Sequence, residues 1–427
     1  MKTQAELRSA LEGGLLDRRL EEVYGVVADI AEKRQRFRHL LQKYTAAFGY
    51  DEPVALISAP GRTELGGNHT DHQHGRVLAA AVDADAIACA GKSGGDEIRI
   101  LSAGYPDIVL SAKNLAPVQG EEGSSAALVR GICSRIAGMG YKIGGFHACI
   151  VSDVPGGSGL SSSAAYEVLI GVIVNHLFCD DALTAVEIAQ IGQYAENVFF
   201  GKPCGLMDQL TSAVGGVLAI DFQDPKAPVV EKLEVSPADY GYVLCIVNSG
   251  ADHADLTEEY AAIPAEMGAV ARQFGKDVLR EVDEEAFFAA IPALREAHGD
   301  RAVLRAVHFF AENRVAAEEA TALANGDFER FLELVRRSGR SSAMYLQNLS
   351  CAAFPRQQAL SVAIATAEHF LRGIGAARVH GGGFAGTIQA YVPMKLSGVF
   401  LTGMESVLGK GCCHFLWLRA VGGTVLA

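Results

Sequence analysis

The sequence predicts an α+β fold with more than one domain. Segments whose apolar residues alternate with period two, as in strands, are interspersed with segments that have the spacing of helices along the whole chain. No internal repeat is detectable, and the steady alternation of a barrel is missing. The chain has 427 residues, of which 49% are apolar and 20% charged, which is enough for two or three globular cores.

The composition argues against several classes of partner. The net charge is −13 and no basic tract offsets it, so a nucleic-acid partner is not expected. The nine cysteines are scattered and form no C-x-x-C pair, which argues against both a disulfide framework and a zinc site. The first residues lack the apolar core of a signal peptide, and no apolar run is long enough to span a membrane. We therefore expect a cytoplasmic protein without a membrane partner, as a monomer or weak homodimer.

Residues 5–48 are predicted to be helical. Apolar residues recur there at helical spacing with Arg and Glu between them, and Gly13-Gly14 is expected to separate a short first helix from a longer second one. Such an apolar stripe either packs against its own chain, which we prefer, or binds a partner. The stripe includes Leu16, Leu20, Val23, Val27, Ile30, Phe37, Leu40, Leu41 and Tyr44.

Strands and helices then alternate through the next part of the chain. The strand Val54–Ala59 should end at Pro60-Gly61, where a segment rich in glycine and polar residues begins. A linker-like stretch, 223–228, marks the predicted domain boundary. The other elements predicted before it are a strand over 97–101, a helix over 125–139, a strand over 146–151, helices over 164–178 and 184–199, and a strand over 217–222.

The second half of the chain has the same mixed character. A long helical section over 304–337 should be interrupted at Asn325-Gly326-Asp327, where a C-cap and a new N-cap fit. The predicted units are a helical extension (1–48), a first domain (49–225) and a second domain (226–427). The remaining elements of the second domain are a strand over 242–247, helices over 257–274 and 359–371, and a strand over 387–392.

A glycine- and serine-rich loop between a predicted strand and a predicted helix is the strongest functional signal. It runs from Pro155 to Ser163 and reads Pro-Gly-Gly-Ser-Gly-Leu-Ser-Ser-Ser. Backbone N–H groups at the start of a helix carry partial positive charge and lack partners, so such a loop binds anions, phosphate above all. A serine-rich helix cap is the alternative. The lysine of a Walker A loop and the final glycine of the G-x-S-x-G elbow are both missing.

A phosphate site without lysine needs another positive charge. Mg²⁺ held by a hydroxyl and a carboxylate would supply it, and Ser162 or Ser163 with Glu196 are candidate ligands. The run His69–His74 suits hydrogen bonds to a polyol as well as a metal, and no further His or Cys cluster completes a transition-metal site. Asp208 follows a glycine-flanked turn, where a carboxylate considered alone would be explained as a helix cap.

A third glycine-rich segment, Gly381–Gly386, matches the letters of the dinucleotide-binding motif G-x-G-x-x-G. That motif requires a helix after the glycines, and here a strand is predicted to follow. The dinucleotide interpretation is therefore rejected. The glycines either let the backbone approach a ligand or another loop, or they form a purely structural turn.

Together these motifs resemble those of the GHMP small-molecule kinases, and most closely the galactokinase family. Residues 61–75 resemble the family's first motif, G-R-x-N-x-x-G-E-H-x-D-Y, Pro155–Ala165 resemble its second and Val379–Gly386 its third. Residues 204–209, Cys-Gly-Leu-Met-Asp-Gln, resemble the galactokinase sequence C-G-x-M-D-Q. The similarity covers roughly residues 50–427.

The resemblance implies a two-domain kinase with its active site between the domains. The N-terminal domain is expected to be like part of ribosomal protein S5, and the C-terminal domain to be ferredoxin-like. Matched by position, Asp208 is the base that deprotonates the anomeric hydroxyl of the sugar, and Arg62 is the arginine beside it. The implied sugar contacts are Glu64, Asn68, His69, Asp71, Gly205 and Tyr260. The implied ATP site comprises Pro155, Gly156, Gly157, Ser158, Gly159, Leu160, Ser161, Ser162, Ser163, Gly382 and Gly383, and the implied Mg²⁺ ligands are Ser163 and Glu196.

The chain departs from the family motif at the sugar end. Glu64 and Asn68 stand where the motif has Asn and Glu, and His72 stands where it has Tyr. The groups for phosphate transfer match while part of the sugar shell differs. We therefore expect ATP- and Mg²⁺-dependent phosphorylation of galactose at its anomeric hydroxyl. A kinase for another sugar, such as an amino sugar or a pentose, and a non-catalytic sugar sensor are the alternatives, and the intact Asp208 and Arg62 count against the sensor.

Overall fold

Two β-sheets with helices packed against them confirm the predicted mixed fold. The computed structural model describes residues 1–25, 28–50, 52–251 and 256–427. The helices are α1 (Gln4–Glu12), α2 (Asp17–Tyr24), α3 (Ile30–Phe48), α4 (Ser125–Gly138), α5 (Ser162–Phe178), α6 (Ala185–Ala195), α7 (Met207–Val214), α8 (Thr257–Arg272), α9 (Glu284–Ala324), α10 (Phe328–Ser341), α11 (Ala359–Leu371) and α12 (Ser397–Leu408).

The strands form one sheet of eight and one of four. They are β1 (Val54–Gly66), β2 (Arg76–Lys92), β3 (Glu97–Ser102), β4 (Ile108–Ser111), β5 (Phe146–Ser152), β6 (Val217–Asp221), β7 (Val229–Leu233), β8 (Tyr242–Asn248), β9 (Ala376–Val379), β10 (Thr387–Pro393), β11 (Cys413–Leu416) and β12 (Thr424–Val425). The larger sheet has the order β12-β1-β2-β5-β3-β4, with β6 and β7 added beside β2, and β3 pairs with β5 in parallel. The smaller sheet, β11-β8-β10-β9, is antiparallel.

Both faces of the central strands of the larger sheet are buried. Helices α4 to α7 cover one face, which receives Ala86, Ala88 and Ala90 of β2. Helices α1 to α3 cover the other face, which receives the intervening Ile87 and Cys89. Neighbouring side chains of a strand point to opposite faces, so this double cover explains the near-continuous apolar runs of these strands. The apolar stripe of the first helices therefore packs against its own chain, as preferred.

Several helix ends follow the predicted start and stop signals. α1 is capped by Gly13, and Gly14 has a φ of 70°, so the two glycines separate the first two helices as expected. The prediction that the second helix is the longer one is wrong, because α2 ends at Tyr24, before Gly25 with its φ of 84°, and α3 begins at Ile30. Val27, part of the predicted stripe, lies outside the described residues. α10 begins after Asp327, whose side chain accepts a hydrogen bond from the Arg330 N–H at 3.0 Å. α9 begins at Glu284, earlier than predicted, and is interrupted at Gly299, where φ is 81°.

The prediction that β1 ends at Pro60-Gly61 is wrong. The strand continues to Gly66 beside β2, with register shifts between Pro60 and Arg62 and again between Glu64 and Gly66. A bulge tolerates proline because the ladder of hydrogen bonds is already interrupted there. The first part of the motif, 61–66, is therefore carried on a strand of the larger sheet, which holds Arg62 more rigidly than a loop would, while 67–75 form the connection to β2.

The turn between β6 and β7 contains the predicted domain boundary at residue 225. Since β7 pairs with β6 and β12 pairs with β1, both later strands complete the larger sheet. Strand pairing therefore favours a boundary after Leu233, and the division into 49–225 and 226–427 remains a prediction. No described helix is long and apolar enough to cross a membrane. All nine cysteines are free.

Candidate active site

Arg62 and Asp208, the predicted catalytic pair, form a two-point ion pair. Arg62 Nε donates to Asp208 Oδ1 and Nη2 donates to Oδ2, both at 2.6 Å. Ser161 Oγ donates to Asp208 Oδ2 at 2.7 Å, and Arg62 Nη1 donates to the carbonyl of Gly159. The planar guanidinium matches a carboxylate at two points, so the orientation of both groups is determined. The pair thus lies directly against the glycine- and serine-rich loop.

The ion pair sets the charge of Asp208. Burial alone would raise the pKa of its carboxyl group, but the positive charge of Arg62 and the hydrogen bonds from Arg62 and Ser161 lower that pKa below its ordinary value. Asp208 is therefore ionised at neutral pH. Its side chain is 31% exposed, so an acceptor can reach it. The carboxylate bonds to Arg62 and Ser161, and α7 has no side-chain cap, which excludes the helix-cap explanation.

The glycine- and serine-rich loop joins β5 to α5, as predicted. Gly156 and Gly157 are exposed, and a Cβ added to either would have no protein atom within 4 Å. Ser161 precedes the first residue of α5, but its hydroxyl bonds to Asp208 and the helix has no side-chain cap. The first N–H groups of α5 are thus left for another partner, and this favours the anion site over the serine cap.

Two buried carboxylates lie next to this loop and share one amide. Gln209 Nε2 donates to Glu167 Oε2 and to Glu196 Oε2, both at 2.9 Å. Burial first, and then the charge of Glu196, raise the pKa of Glu167 well above its ordinary value. Glu167 Oε1 is buried without a hydrogen-bond partner. A cation that prefers oxygen ligands would offset the repulsion between the two carboxylates and give Glu167 Oε1 a partner. These residues therefore fit the predicted Mg²⁺.

The predicted metal ligands are only partly brought together. Ser163 stands one helical turn before Glu167 on α5, and Gln209 links Glu167 to Glu196. Glu196 Oε1 also lies 3.4 Å from Lys202 Nζ. The described residues hold no group of three or more His, Cys, Asp or Glu arranged for a metal. Mg²⁺ commonly takes one or two protein carboxylates and completes its shell with phosphate and water, so the small donor set is suitable.

His69 presents a hydrogen-bond acceptor that has no protein partner. Its Nε2 lies 3.0 Å from the carbonyl oxygen of Gly382, and its Nδ1 is buried and unbonded. Burial first, and then His72, lower the pKa of His69 to about 4, so the ring is neutral at pH 7. Because a carbonyl only accepts, Nε2 carries the proton and Nδ1 is left as an acceptor. This arrangement suits a sugar hydroxyl as donor.

Three other predicted sugar residues surround the same region. A Cβ on Gly205 would lie 3.0 Å from Asp71 Oδ2. Because glycine has no side chain, Asp71 can lie close to the turn that precedes Asp208. Tyr260 donates its hydroxyl to the carbonyl of Gly383 at 2.7 Å, which places it against the third glycine segment. Their roles as sugar contacts remain predictions.

Glu64 and Asn68 bond to each other and are enclosed by protein. Asn68 is fully buried, and its Nδ2 donates to Glu64 Oε1 at 3.2 Å and to the Gly381 carbonyl at 2.7 Å. Asn68 Oδ1 accepts from Asn348 Nδ2 at 2.9 Å, and Glu64 Oε1 accepts from Arg378 Nη2 at 2.9 Å. With these bonds made, Asn68 has no donor left for a ligand, and the geometry does not support it as a direct sugar contact. The exchanged Asn and Glu of the first motif thus still form an amide–carboxylate pair.

This pairing predicts that the two residues are exchangeable only together. Glu64→Asn removes the carboxylate from the buried Arg378, and Asn68→Glu places a second carboxylate beside Glu64, so each single variant should lose about 2–4 kcal/mol of unfolding free energy. The double variant restores one amide and one carboxylate, and its loss should fall at least about 1 kcal/mol short of the sum. Urea unfolding of the four proteins measures this coupling, and strictly additive losses would contradict it.

The third glycine segment connects two other loops. Gly381–Gly386 joins β9 to β10, and His380 lies 2.9 Å from both Thr63 Oγ1 and Thr387 Oγ1 through its two ring nitrogens. Thr387 Oγ1 in turn donates to the carbonyl of Ser158 at 3.0 Å. The two residues that flank the segment therefore bridge the first motif and the glycine- and serine-rich loop. Within the segment, a Cβ on Gly382 would overlap the Tyr260 ring and one on Gly383 would overlap the Asn348 carbonyl. Of the two alternatives, the close approach of the glycine backbone to neighbouring segments is confirmed.

Sequence reasoning missed three residues of this network: Glu167, Gln209 and Arg378. Glu167 is the one acidic residue within the apolar helix α5, and Arg378 is fully buried in β9. Charged groups are rarely buried unless they have a partner, so a lone charge inside an apolar element was a usable signal. Gln209 lies beside Asp208 in the same motif, and nothing in the sequence distinguished its role.

Two family models match parts of the chain. Residues 127–216 match the family described as GHMP kinases N terminal domain, a range that includes the glycine- and serine-rich loop and Asp208. Residues 42–92 match the galactokinase galactose-binding signature, which includes Arg62, His69 and Asp71.

Solved structures of small-molecule kinases share the fold. The crystal structure of Lactococcus lactis galactokinase complexed with galactose aligns with a TM-score of 0.77 at 25% identity, covering 91% of this chain and 99% of that one. Mevalonate kinase of Methanococcus jannaschii aligns with a TM-score of 0.61 at 16% identity, covering 85% and 98%. D-glycero-D-manno-heptose 1-phosphate kinase of Bacteroides thetaiotaomicron aligns with a TM-score of 0.59 at 17% identity, covering 87% and 98%. The last two similarities concern the fold alone.

Proposed function

Since this chain belongs to the GHMP kinases, we propose that it is an ATP-dependent sugar 1-kinase whose acceptor is D-galactose. The observation that carries the proposal is the ion pair of Arg62 and Asp208, which Ser161 holds against the glycine- and serine-rich loop. We call this loop, Pro155–Ser163, the phosphate loop. A carboxylate, a guanidinium and a cradle of N–H groups in one place are the groups that phosphoryl transfer requires. We also place the reaction in the cytoplasm.

In the proposed reaction Asp208 accepts the proton of the anomeric hydroxyl. The anomeric oxygen attacks the γ-phosphorus of ATP, a bond forms between them, and the bond from that phosphorus to the β–γ bridging oxygen breaks to release ADP. The lowered pKa makes Asp208 a weak base, so the proton leaves as the oxygen–phosphorus bond forms rather than beforehand. Arg62 holds the carboxylate in place and supplies positive charge to the transferring phosphoryl group.

The loop and its neighbours hold the phosphates. Gly156 and Gly157 leave room for a nucleotide, and the free N–H groups of α5 bind phosphate oxygens. Ser163 and Glu196, with Glu167 behind them, are the residues that would hold Mg²⁺. When bound, the ion neutralises charge on the β- and γ-phosphates.

A second acceptor class is favoured by one observation at the sugar end. His72, which replaces the motif's Tyr, is 42% exposed, and its Nε2 lies 3.7 Å from Asp71 Oδ1. An exposed imidazole changes the shape and hydrogen bonding next to a predicted sugar contact. An amino sugar or a pentose related to galactose is therefore the alternative substrate.

A coupled assay of ADP release with Mg-ATP and a panel of aldoses tests the proposal. The panel should include D-galactose, D-galactosamine, which differs from galactose at C2, and L-arabinose, which lacks C6. We expect turnover with D-galactose that Asp208→Asn abolishes. Turnover with another sugar and none with galactose would keep the mechanism and overturn the substrate. No turnover with any sugar, despite measurable ATP binding, would overturn the enzyme and favour the non-catalytic sugar sensor.

A further inference from the structure

We infer that Arg36 of helix α3 is a positioning residue for the phosphate loop, through contacts with Asp85 and Asp153. The inference rests on the proposed function, since it assigns this loop to the nucleotide. It gives the N-terminal helices a role in the nucleotide site besides covering the sheet. None of the predicted site residues lies in this part of the chain.

The phosphate loop needs support at both ends because its centre is open. At its far end, the Arg62 N–H donates to the Leu160 carbonyl at 3.0 Å and Ser161 bonds to Asp208. At its near end, Asp153 stands two residues before Pro155, and its N–H donates to the Asp85 carbonyl at 2.9 Å. The side chain of Asp153 is 48% exposed, so burial alone does not hold it.

Arg36 supplies the missing contact at the near end. Its Nε forms an ion pair with Asp153 Oδ2 at 2.7 Å without the geometry of a hydrogen bond. Its Nη1 donates to Asp85 Oδ1 at 2.5 Å, and its Nη2 donates to the Asp85 carbonyl at 3.0 Å. The Asp85 carbonyl therefore accepts from Arg36 and from Asp153 at the same time. A single guanidinium, 11% exposed, thus adds side-chain contacts to the backbone pairing that joins the end of β5 to β2.

Asp85 is rigid enough to serve as a fixed point. It is fully buried, and its Oδ2 accepts from Tyr24 Oη at 2.6 Å, from Arg419 Nη1 at 3.1 Å and from Ser58 Oγ. In the ladder between β1 and β2, Asp85 stands opposite Pro60, two residues before Arg62. One buried carboxylate therefore lies next to the strand that carries the catalytic arginine and next to the root of the phosphate loop.

The test compares Asp153→Asn and Arg36→Gln with two controls. Asp153→Asn removes the charge from an exposed group and leaves the Arg36–Asp85 contacts intact, so misfolding is not a concern. Arg38→Gln is the matched surface control, because Arg38 lies on the same helix and reaches Glu12 at 3.5 Å. Tyr24→Phe removes one hydrogen bond from Asp85 and none from Asp153. Arg36→Lys retains the charge and should recover part of the effect.

Two measurements are made: backbone amide exchange over residues 153–161 in the free protein, and ADP titration by calorimetry. Asp153→Asn should raise the ADP dissociation constant about two- to five-fold, the range for a partly exposed charge pair. Arg36→Gln should raise it further, and both variants should exchange the loop amides faster than either control. The KM for ATP should rise while the KM for the sugar stays unchanged.

Each outcome separates the inference from the proposed function. Loop exchange and ADP affinity equal to those of Arg38→Gln would overturn the role of Arg36, whatever the sugar assay shows. If the loop amides exchange faster in the variants but the wild-type protein does not bind ADP, Arg36 does position the loop and the assignment of the loop to a nucleotide is overturned. A rise in both KM values together with lowered unfolding stability would indicate general damage and would also overturn the inference.

Discussion

Asp208→Asn is expected to reduce kcat by at least about 10³-fold while leaving ADP affinity nearly unchanged. The substitution keeps the shape of the side chain and removes its ability to take a proton. In the proposed site ADP contacts the phosphate loop, to which Asp208 contributes no N–H group, so binding should persist. Steady-state kinetics with the best acceptor from the panel, together with calorimetric ADP titration, measure the two quantities separately.

Ser161→Ala is the matched control for this substitution. It removes one hydrogen bond, 2.7 Å long, from the same carboxylate but keeps the carboxylate itself. We expect a loss of only about three- to ten-fold, as for one hydrogen bond to a charged group. Comparable losses in Asp208→Asn and Ser161→Ala would mean that the carboxylate is a structural partner of Arg62 and not the base.

Arg62→Gln is expected to slow the reaction about 10²- to 10³-fold and to move its acid limit to higher pH. In the wild-type protein the ion pair holds the pKa of Asp208 below its ordinary value, so kcat/KM should not fall at acidic pH through protonation of this carboxylate until the pH is below that ordinary value. Without Arg62, burial is the main remaining influence and raises that pKa. The carboxylate is then protonated as the pH falls, and activity should decline within the range that can be assayed.

The pH profiles of kcat/KM for the wild-type protein, Arg62→Gln, Ser161→Ala and Arg62→Lys check this result. Ser161→Ala removes a hydrogen bond that also lowers the pKa of Asp208, but by less than Arg62 does. The acid limit of Ser161→Ala should therefore move up by less than that of Arg62→Gln. An acid limit that stays in place in Arg62→Gln would show that a group other than Asp208 is the base. Arg62→Lys should give an intermediate profile, because it retains the charge but contacts the carboxylate at one point.

The fold class and the phosphate loop could be predicted because their signals are local. Alternating apolar residues identify strands, helical spacing identifies helices, and the glycines and serines before α5 indicate an anion site whatever surrounds them. The end of β1 could not be predicted, because the continuation of the strand past Pro60 depends on β2 pairing beside it across two bulges. The range 229–233 likewise becomes part of the larger sheet only by pairing with β6.

The sequence by itself determined the candidate chemical groups of the site, including the proposed base, the arginine matched beside it and the glycine- and serine-rich loop. Only the tertiary structure decided which of them meet. It brings Arg62 to Asp208 across 146 positions of the chain and encloses Asn68, whose letter in the motif predicted a sugar contact. It also brings Arg36 to the root of the phosphate loop. The physical reason is that the energy of an ion pair or a buried amide depends on distance, burial and partner geometry, which are properties of packed neighbours and not of adjacent residues.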